Sequence, residues 1–181
     1  MLRTTSPATS TIWKGLFVAL PTSDERLHIS FVCTGNICRS PMGDVILNAA
    51  LKEAHLETEV LVDSCGMGGW HVGQKADKRA LRELASAGYD GSAHRASQID
   101  EANEAADLLI AMDSGHVSDL VRFGVPRERI RLLRSFDPAA GADLDVEDPY
   151  YGSAEDFTLA RTQIEHAIPG ILSWIRTQIE A

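Results

Sequence analysis

A chain of 181 residues, 44% of them hydrophobic, is long enough to bury one full-sized core, and its length requires no second folded domain. Its formal net charge of −9 argues against nucleic acid or an anionic membrane surface as a partner, because either would require a basic face. Cysteines occur at positions 33, 38 and 65, and their odd number and spacing predict neither a disulfide framework nor a metal site. We therefore expect a reduced, cytoplasmic protein.

Residues 1–26 are predicted to form a poorly ordered N-terminal extension that takes no part in chemistry, which leaves 27–181 as the folded domain. The apolar run at 12–20 is too short to span a bilayer and lacks the flanking features of a secretory signal. A surface-docked or partner-binding segment is the alternative for this run. Export by a non-standard route also stays open.

The stretch at 27–42 predicts a strand, a loop and a helix in immediate succession. An apolar, β-rich run ends at Cys33, and Pro41 opens a segment of helical periodicity that continues to about residue 55. Between them lie Gly35 and Asn36, the residue types that most readily adopt left-handed backbone angles. The loop can therefore curl so that its amides point inward at the helix N-terminus, an arrangement that binds an anion.

Cys33 is expected at the centre of this ring of amides. The amides, the helix dipole and the guanidinium of Arg39 would all favour its thiolate form. The pair could instead be a buried core cysteine and a solvated arginine. The preceding strand, the following helix and the intervening Gly and Asn favour a nucleophile in a phosphate-sized cradle.

Further along the chain, three more apolar runs predict strands that alternate with segments of helical periodicity. The predicted strands lie at 27–32, 58–64, 108–112 and 130–133, and the predicted helices at 42–55, 77–87, 101–106, 114–123 and from 153 onward. This alternation predicts an α/β fold, a three-layer sandwich in which a four-stranded parallel sheet is flanked by helices on both faces. A ligand site then belongs at the carboxyl ends of the strands, where Cys33 lies.

Two later segments are candidates for the rest of the site. Residues 65–73 form a glycine-rich loop with Trp70 near its tip, which could pack on the core or line the mouth of a pocket. Hydrolysis of a phosphate ester through a cysteine also needs a proton donor for the leaving oxygen, and Asp148, directly before Pro149, is our choice. Spacing alone leaves four rival carboxyls, which are Asp137, Asp143, Asp145 and Glu147.

Four motifs, VCTGNICRSPM, WHVG, SFDP and VEDPYYG, occur in this order within residues 28–174. In sequence and spacing they resemble the low-molecular-weight protein tyrosine phosphatase family, particularly its actinobacterial branch. The resemblance implies that Cys33 is the nucleophile, Arg39 the phosphate-binding arginine and Asp148 the general acid. It further implies a phosphate-binding loop with Thr34, Gly35, Asn36, Ile37, Cys38 and Ser40, loop support from Ser64 and His94, and pocket walls made by Trp70, Tyr150 and Tyr151.

The implied function is hydrolysis of phosphotyrosine on proteins through a phosphocysteine intermediate, without a metal or other cofactor. A cognate tyrosine kinase is a candidate partner, and the expected state is a monomer or weak dimer. An arsenate reductase of the same fold is one alternative, but it would need two further redox cysteines at 111–120, where the sequence has none. A non-catalytic phosphotyrosine-binding module is the other, and it would lack the nucleophile or the acid.

The other two cysteines carry a redox hypothesis. The curvature of the loop should bring Cys38 beside Cys33, where its thiol could capture an oxidised sulfur as a disulfide. Cys38 could instead be a small buried hydrophobe, and Cys65, next to Ser64, is the competing redox partner. Cys65 and Ser97 are also departures from the family, which usually has alanine at the first position and often arginine at the second.

Overall fold

A computed structural model describes residues 26–181, so the predictions for residues 1–25 lie outside it. In this part of the chain, strands β1 to β4 are Leu27–Cys33, Val60–Gly66, Leu108–Ala111 and Ile130–Leu132. Helices α1 to α5 are Arg39–Glu53, Lys78–Ser86, Glu101–Glu104, Ser114–Phe123 and Ala154–Ile179, and a short 3₁₀ turn covers Pro149–Tyr151. None of these helices has both the length and the apolar character needed to cross a membrane. The division of the chain at residue 27 stays a prediction.

The four strands form one parallel sheet in the order β2-β1-β3-β4. Successive residues of a strand point to opposite faces, and accordingly Phe31 and Val32 of β1 belong to two separate buried clusters. The Phe31 cluster includes side chains of α1 and α5, such as Ile164, while the Val32 cluster includes Leu120 of α4. The predicted three-layer α/β sandwich with a four-stranded parallel sheet is thus confirmed.

The helix after the cysteine begins earlier than the sequence predicts. α1 starts at Arg39, so Pro41 is the third residue of its first turn, a position where the missing amide hydrogen still costs no helical hydrogen bond. The N-cap residue, Cys38, makes no side-chain hydrogen bond to the first turn. The amides at this helix end are therefore not occupied by a cap.

The start of α4 also differs from the prediction, because Asp113 rather than Ser114 is the N-cap. The Asp113 carboxylate accepts a hydrogen bond from the amide of His116. Since β3 ends at Ala111, this cap lies at the carboxyl edge of the sheet, the same edge as Cys33. Other helix ends follow the sequence, with Gly124 in a left-handed conformation after α4 and a Ser153–Asp156 capping box before α5.

Candidate active site

Residues 33–39, the cysteine loop, connect β1 to α1 at the point where the strand order reverses. From β1 the chain goes to β2 on one side, and only later to β3 on the other side. In open α/β sheets the crevice at such a point is where ligands bind. The fold therefore places the loop where the sequence analysis expected a site.

The backbone of the cysteine loop turns its carbonyl groups outward. Four of them accept hydrogen bonds from outside the loop at 2.8–2.9 Å: the carbonyls of Cys33, Thr34, Asn36 and Ile37, from Met67 N, Gly68 N, His94 Nε2 and Asp77 N respectively. In a trans peptide unit the carbonyl and the following amide point in opposite directions. The amides that follow these carbonyls consequently point into the loop, as an anion cradle requires.

Asn36 holds the curvature of the loop. Its φ of 55° is in the left-handed region, which is uncommon for a residue with a side chain, and it is fully buried. The side-chain Nδ2 of Asn36 donates to Ser40 Oγ at 2.8 Å and to Ser64 Oγ at 3.0 Å. Its Oδ1 accepts from the backbone amide of Ser97 at 2.8 Å. Three contacts therefore fix a backbone conformation that would otherwise be unfavourable.

Ser64 and His94, the two residues predicted to support the loop, both contact Asn36, and Ser97 does so as well. His94 Nε2 must donate to the Asn36 carbonyl, because a carbonyl can only accept, and burial lowers the pKa of His94. Ser97 supports the loop through its own amide and through its hydroxyl, which donates to the Ser64 carbonyl at 3.0 Å. An arginine side chain is not needed for these contacts.

The sulfur of Cys33 lies at the centre of these contacts and is almost completely buried. Ser40 Oγ is 2.9 Å from the sulfur, and the backbone amide of Asn36 donates to the sulfur at 3.3 Å. Both contacts can stabilise a negatively charged sulfur. Ser40 Oγ is also 3.3 Å from the Cys65 carbonyl, a longer alternative for its single hydroxyl proton.

Arg39 is also buried, and it is held from two sides. Its Nη1 donates to Asp113 Oδ2 at 2.7 Å and to the Val146 carbonyl at 2.9 Å, and its Nη2 donates to Asp148 Oδ2 at 3.0 Å. Nη2 is also 3.3 Å from Thr34 Oγ1. Within residues 26–181 its Nε is buried without a hydrogen-bond partner. A buried donor of this kind is available to a phosphate oxygen.

Two residues around Arg39 were not predicted from the sequence. Asp113 pairs with the guanidinium, and His116 Nε2 is 2.9 Å from Thr34 Oγ1, which itself lies near Arg39 Nη2. Burial would raise the pKa of Asp113, but its contacts with His116 and Arg39 lower it overall, while burial lowers the pKa of His116. The position of Asp113 directly after a strand was the available signal, since strand ends meet at the site.

Asp148 lines the same cavity as Cys33, whereas its four sequence rivals do not. Asp145 accepts hydrogen bonds from the amide and hydroxyl of Ser114, Asp143 accepts from the amide of Asp145, and Asp137 accepts from the amide of Ala139. Glu147 lines a neighbouring cavity. Among the candidate carboxyls, only Asp148 is placed beside both Cys33 and Arg39.

Aromatic side chains form the outer walls of this cavity, which has a volume of about 280 Å³. Trp70, which is 73% exposed, lines it together with Tyr150 and Tyr151, whose rings are in edge contact at 4.8 Å. Trp70 thus lines a pocket mouth, which was one of its two predicted alternatives. His71 also lines the cavity and was not predicted.

The two further cysteines differ in their relation to the cavity. Cys38 lines it together with Cys33, while Cys65 does not and is fully buried in β2. Burial raises the pKa of both, for Cys65 to about 12. Both are therefore neutral thiols near pH 7, and the structure contains no disulfide among the described residues.

Comparison with known proteins gives the same family for most of the chain. Residues 28–181 match the sequence profile described as low molecular weight phosphotyrosine protein phosphatase. Low molecular weight protein-tyrosine phosphatase A of Mycobacterium tuberculosis is 49% identical over 152 residues, which cover 83% of this chain and 93% of the relative. A low molecular weight protein-tyrosine-phosphatase of Streptomyces coelicolor is 46% identical, covering 84% and 96%. A crystal structure of an Entamoeba histolytica protein tyrosine phosphatase, with Hepes in its active site, matches with a TM-score of 0.79 at 26% identity, covering 84% and 98%.

Proposed function

The chain belongs to the low molecular weight phosphotyrosine protein phosphatase family, and from this membership we propose how its residues hydrolyse phosphotyrosine. Cys33 attacks the phosphorus in line, and the bond to the tyrosyl oxygen breaks as the sulfur–phosphorus bond forms. The inward-pointing amides of the cysteine loop and the free Nε of Arg39 hold the equatorial oxygens, where negative charge accumulates. The observation that carries this proposal is the position of Cys33 in a loop that has four of its carbonyls hydrogen-bonded outward, which turns the amides that follow them inward.

Asp148 is the proposed general acid and, in the second step, the general base. It would protonate the departing tyrosyl oxygen and then, as a carboxylate, take a proton from the water that hydrolyses the phosphocysteine. Its contact with Arg39 and its place in the wall of the Cys33 cavity support this role, since both put the carboxyl beside the proposed phosphate site. Ser40 Oγ would donate to the sulfur as it departs.

The aromatic walls suit the ring of a phosphotyrosine. A cavity of this size, lined by Trp70 and Tyr150, offers apolar contacts to the flat ring of phosphotyrosine. Phosphoserine has no ring to make these contacts. We therefore expect phosphotyrosine peptides to be preferred. A cognate tyrosine kinase as partner, a cytoplasmic location and a monomeric or weakly dimeric state are further parts of the proposal that rest on the sequence alone.

The test is turnover of p-nitrophenyl phosphate and of matched phosphotyrosine and phosphoserine peptides, with and without EDTA. The wild type should cleave p-nitrophenyl phosphate and the phosphotyrosine peptide, and EDTA should not change these rates. The activities of Cys33→Ser and Arg39→Ala should each be lower by roughly a hundredfold to a thousandfold or more. Arg82→Ala, on the exposed side of α2, is the control and should keep wild-type rates. Substantial activity in Cys33→Ser would overturn the assignment. Arsenate reduction, or peptide binding without turnover, would favour one of the two alternatives.

Cys38 is the proposed resolving cysteine for an oxidised Cys33, because the two thiols line one cavity and Cys65 lies outside it. The sulfenic acid of Cys33 would react with the Cys38 thiol to give a disulfide and water before further oxidation by peroxide. After peroxide and then dithiothreitol, Cys38→Ser should recover little activity while wild type and Cys65→Ser recover most. Full recovery in Cys38→Ser would refute the pairing, and poor recovery confined to Cys65→Ser would move the role there.

A further inference from the structure

Asp44, on the second turn of α1, is a carboxylate that the proposed mechanism does not use. It is partly buried, although no cation is paired with it in the described part of the chain. Its Oδ2 accepts from Ser64 Oγ at 3.1 Å, and its Oδ1 accepts from Asn48 Nδ2 at 2.8 Å. A charge that is partly removed from water and held only by neutral donors is unfavourable, so its presence calls for an explanation.

The contact with Ser64 connects Asp44 to the nucleophile through an unbroken series of hydrogen bonds. Ser64 donates to Asp44, and Asn36 donates both to Ser64 and to Ser40. Ser40 Oγ then lies 2.9 Å from Cys33 Sγ. The directions of these bonds are set at Asp44, because an ionised carboxylate can only accept and therefore takes the single hydroxyl proton of Ser64.

This direction matters for Asn36. With its proton committed to Asp44, Ser64 presents a lone pair to the Asn36 amide, whose second hydrogen then points at Ser40. Ser40 accepts from Asn36 and keeps its own proton for the sulfur. If Asp44 were protonated and donated to Ser64, the Ser64 proton would lose its acceptor among these groups and the support of the strained Asn36 would weaken.

We propose that Asp44 is a positioning residue for Cys33, whose carboxylate fixes the direction of the hydrogen bonds running through Ser64, Asn36 and Ser40 to the sulfur. The inference rests on the proposed function of Cys33. It adds a residue that touches neither substrate nor sulfur and acts through the cysteine loop.

The surroundings of Asp44 make its charge adjustable near neutral pH. Burial, partly offset by Ser64 and Asn48, raises the pKa of Asp44 to about 6, and the neighbouring carboxylate of Asp63 contributes in the same direction. The cavity beside Asp44 is also lined by Lys52 of α1 and by Tyr89, Asp90 and His94 of the segment after α2. Near pH 7 Asp44 is thus mostly ionised, and near pH 5 mostly neutral.

The experiment compares wild type with Asp44→Asn from pH 5 to 8, using p-nitrophenyl phosphate. The ratio of their kcat values cancels the ionisation of the substrate and of the groups common to both proteins. We expect a ratio near one at pH 5 that rises to roughly three- to tenfold in favour of wild type above pH 7, with little change in KM. A ratio independent of pH, or faster turnover by Asp44→Asn at pH 7.5, would overturn the proposal.

Three further variants separate this role from a general effect on folding or charge. Asn48→Ala removes the donor to the other carboxylate oxygen, so it should shift the rise in the ratio to higher pH and leave the alkaline plateau unchanged. Asp90→Asn removes one charge from the same cavity and should have no effect. In Ser64→Ala the connection is cut, so adding Asp44→Asn should cost no further activity; an undiminished additional loss would also overturn the proposal. The proposed function is tested separately by comparing wild type with Cys33→Ser, which should be inactive whatever the effect of Asp44→Asn.

Discussion

Asp148 has two partners that bear on its proposed role as an acid. Arg39 Nη2 donates to its Oδ2, and the backbone amide of Tyr150 donates to its Oδ1. A phosphate dianion bound to Arg39 would compete with the Asp148 carboxyl for the guanidinium. Substrate binding would therefore weaken the contact between Asp148 and Arg39.

This role predicts a dependence on the leaving group. Asp148→Asn should slow phenyl phosphate at least tenfold more than p-nitrophenyl phosphate, since only the poorer leaving group needs protonation. Steady-state kcat/KM for the two substrates is the measurement, and Glu147→Gln, which alters the adjacent carboxyl outside the cavity, is the control. Equal losses on both substrates would show that the proton comes from another group.

Asp44 carries a second prediction, which concerns stability rather than rate. Because the pKa of Asp44 is raised from 3.8 to about 6, the folded protein binds this proton more tightly than the unfolded chain does between those pH values. The free energy of unfolding therefore falls as pH rises through that window, by at most about 3 kcal/mol from this group.

Asp44→Asn should consequently be more stable than wild type at pH 7.5 and lose this advantage near pH 4. Urea unfolding at the two pH values is the measurement, with Asp90→Asn as the control. If Asp44→Asn shows no gain at pH 7.5 relative to pH 4, the carboxylate carries no desolvation cost.

At the scale of elements, the start of α2 contacts both halves of the site. The amide of Asp77, its N-cap, holds the Ile37 carbonyl of the cysteine loop, and Arg79 lies over the rings of Tyr150 and Phe157 at 5.6 and 4.7 Å. Asp77 in turn binds the Arg79 guanidinium through both carboxylate oxygens. One helix end thus fixes the cradle and one aromatic wall relative to each other.

We expect Arg79→Leu to raise KM for aryl phosphates about two- to fivefold, the equivalent of one exposed cation–π contact, with a smaller change in kcat. Arg82→Leu removes the neighbouring arginine of the same helix and should leave KM unchanged. A fall in kcat at constant KM would instead indicate that α2 acts on the cysteine loop.

The sequence predicted most elements because their signals are local. Apolar runs between segments of helical periodicity predicted all four strands. Gly124 predicted the end of one helix, and the Ser153–Asp156 pair predicted the start of another. Errors arose where two neighbouring residues carry the same signal: Asp113 and Ser114 can both cap a helix, and only the position of the chain after β3 decides between them. Asp44 illustrates the other limit, since nothing in a helical pattern shows that Ser64, on a different strand, lies opposite its carboxylate.

At the scale of the whole molecule, the parallel order β2-β1-β3-β4 brings together residues that are far apart in the chain. The site at the carboxyl edge of the sheet contains Cys33, Asp113 and Asp148. More than a hundred residues separate the first of these from the last. Sequence motifs shared with the family could identify Cys33 and Asp148 as site residues. Contacts such as His116 with Thr34 depend on the register of β1 and β3 and on packing, which sequence spacing does not contain.

The outward-facing carbonyls of the cysteine loop also make it a junction of distant segments. Backbone donors at Met67, Gly68 and Asp77 come from the connections after β2 and before α2, and each is engaged only while the loop keeps its shape. An anion that occupies the cradle should therefore protect these remote amides from exchange with solvent deuterium, without touching them. Inorganic phosphate or vanadate should slow their exchange in proportion to occupancy, whereas an amide such as Gly124 N at the end of α4 should exchange at an unchanged rate.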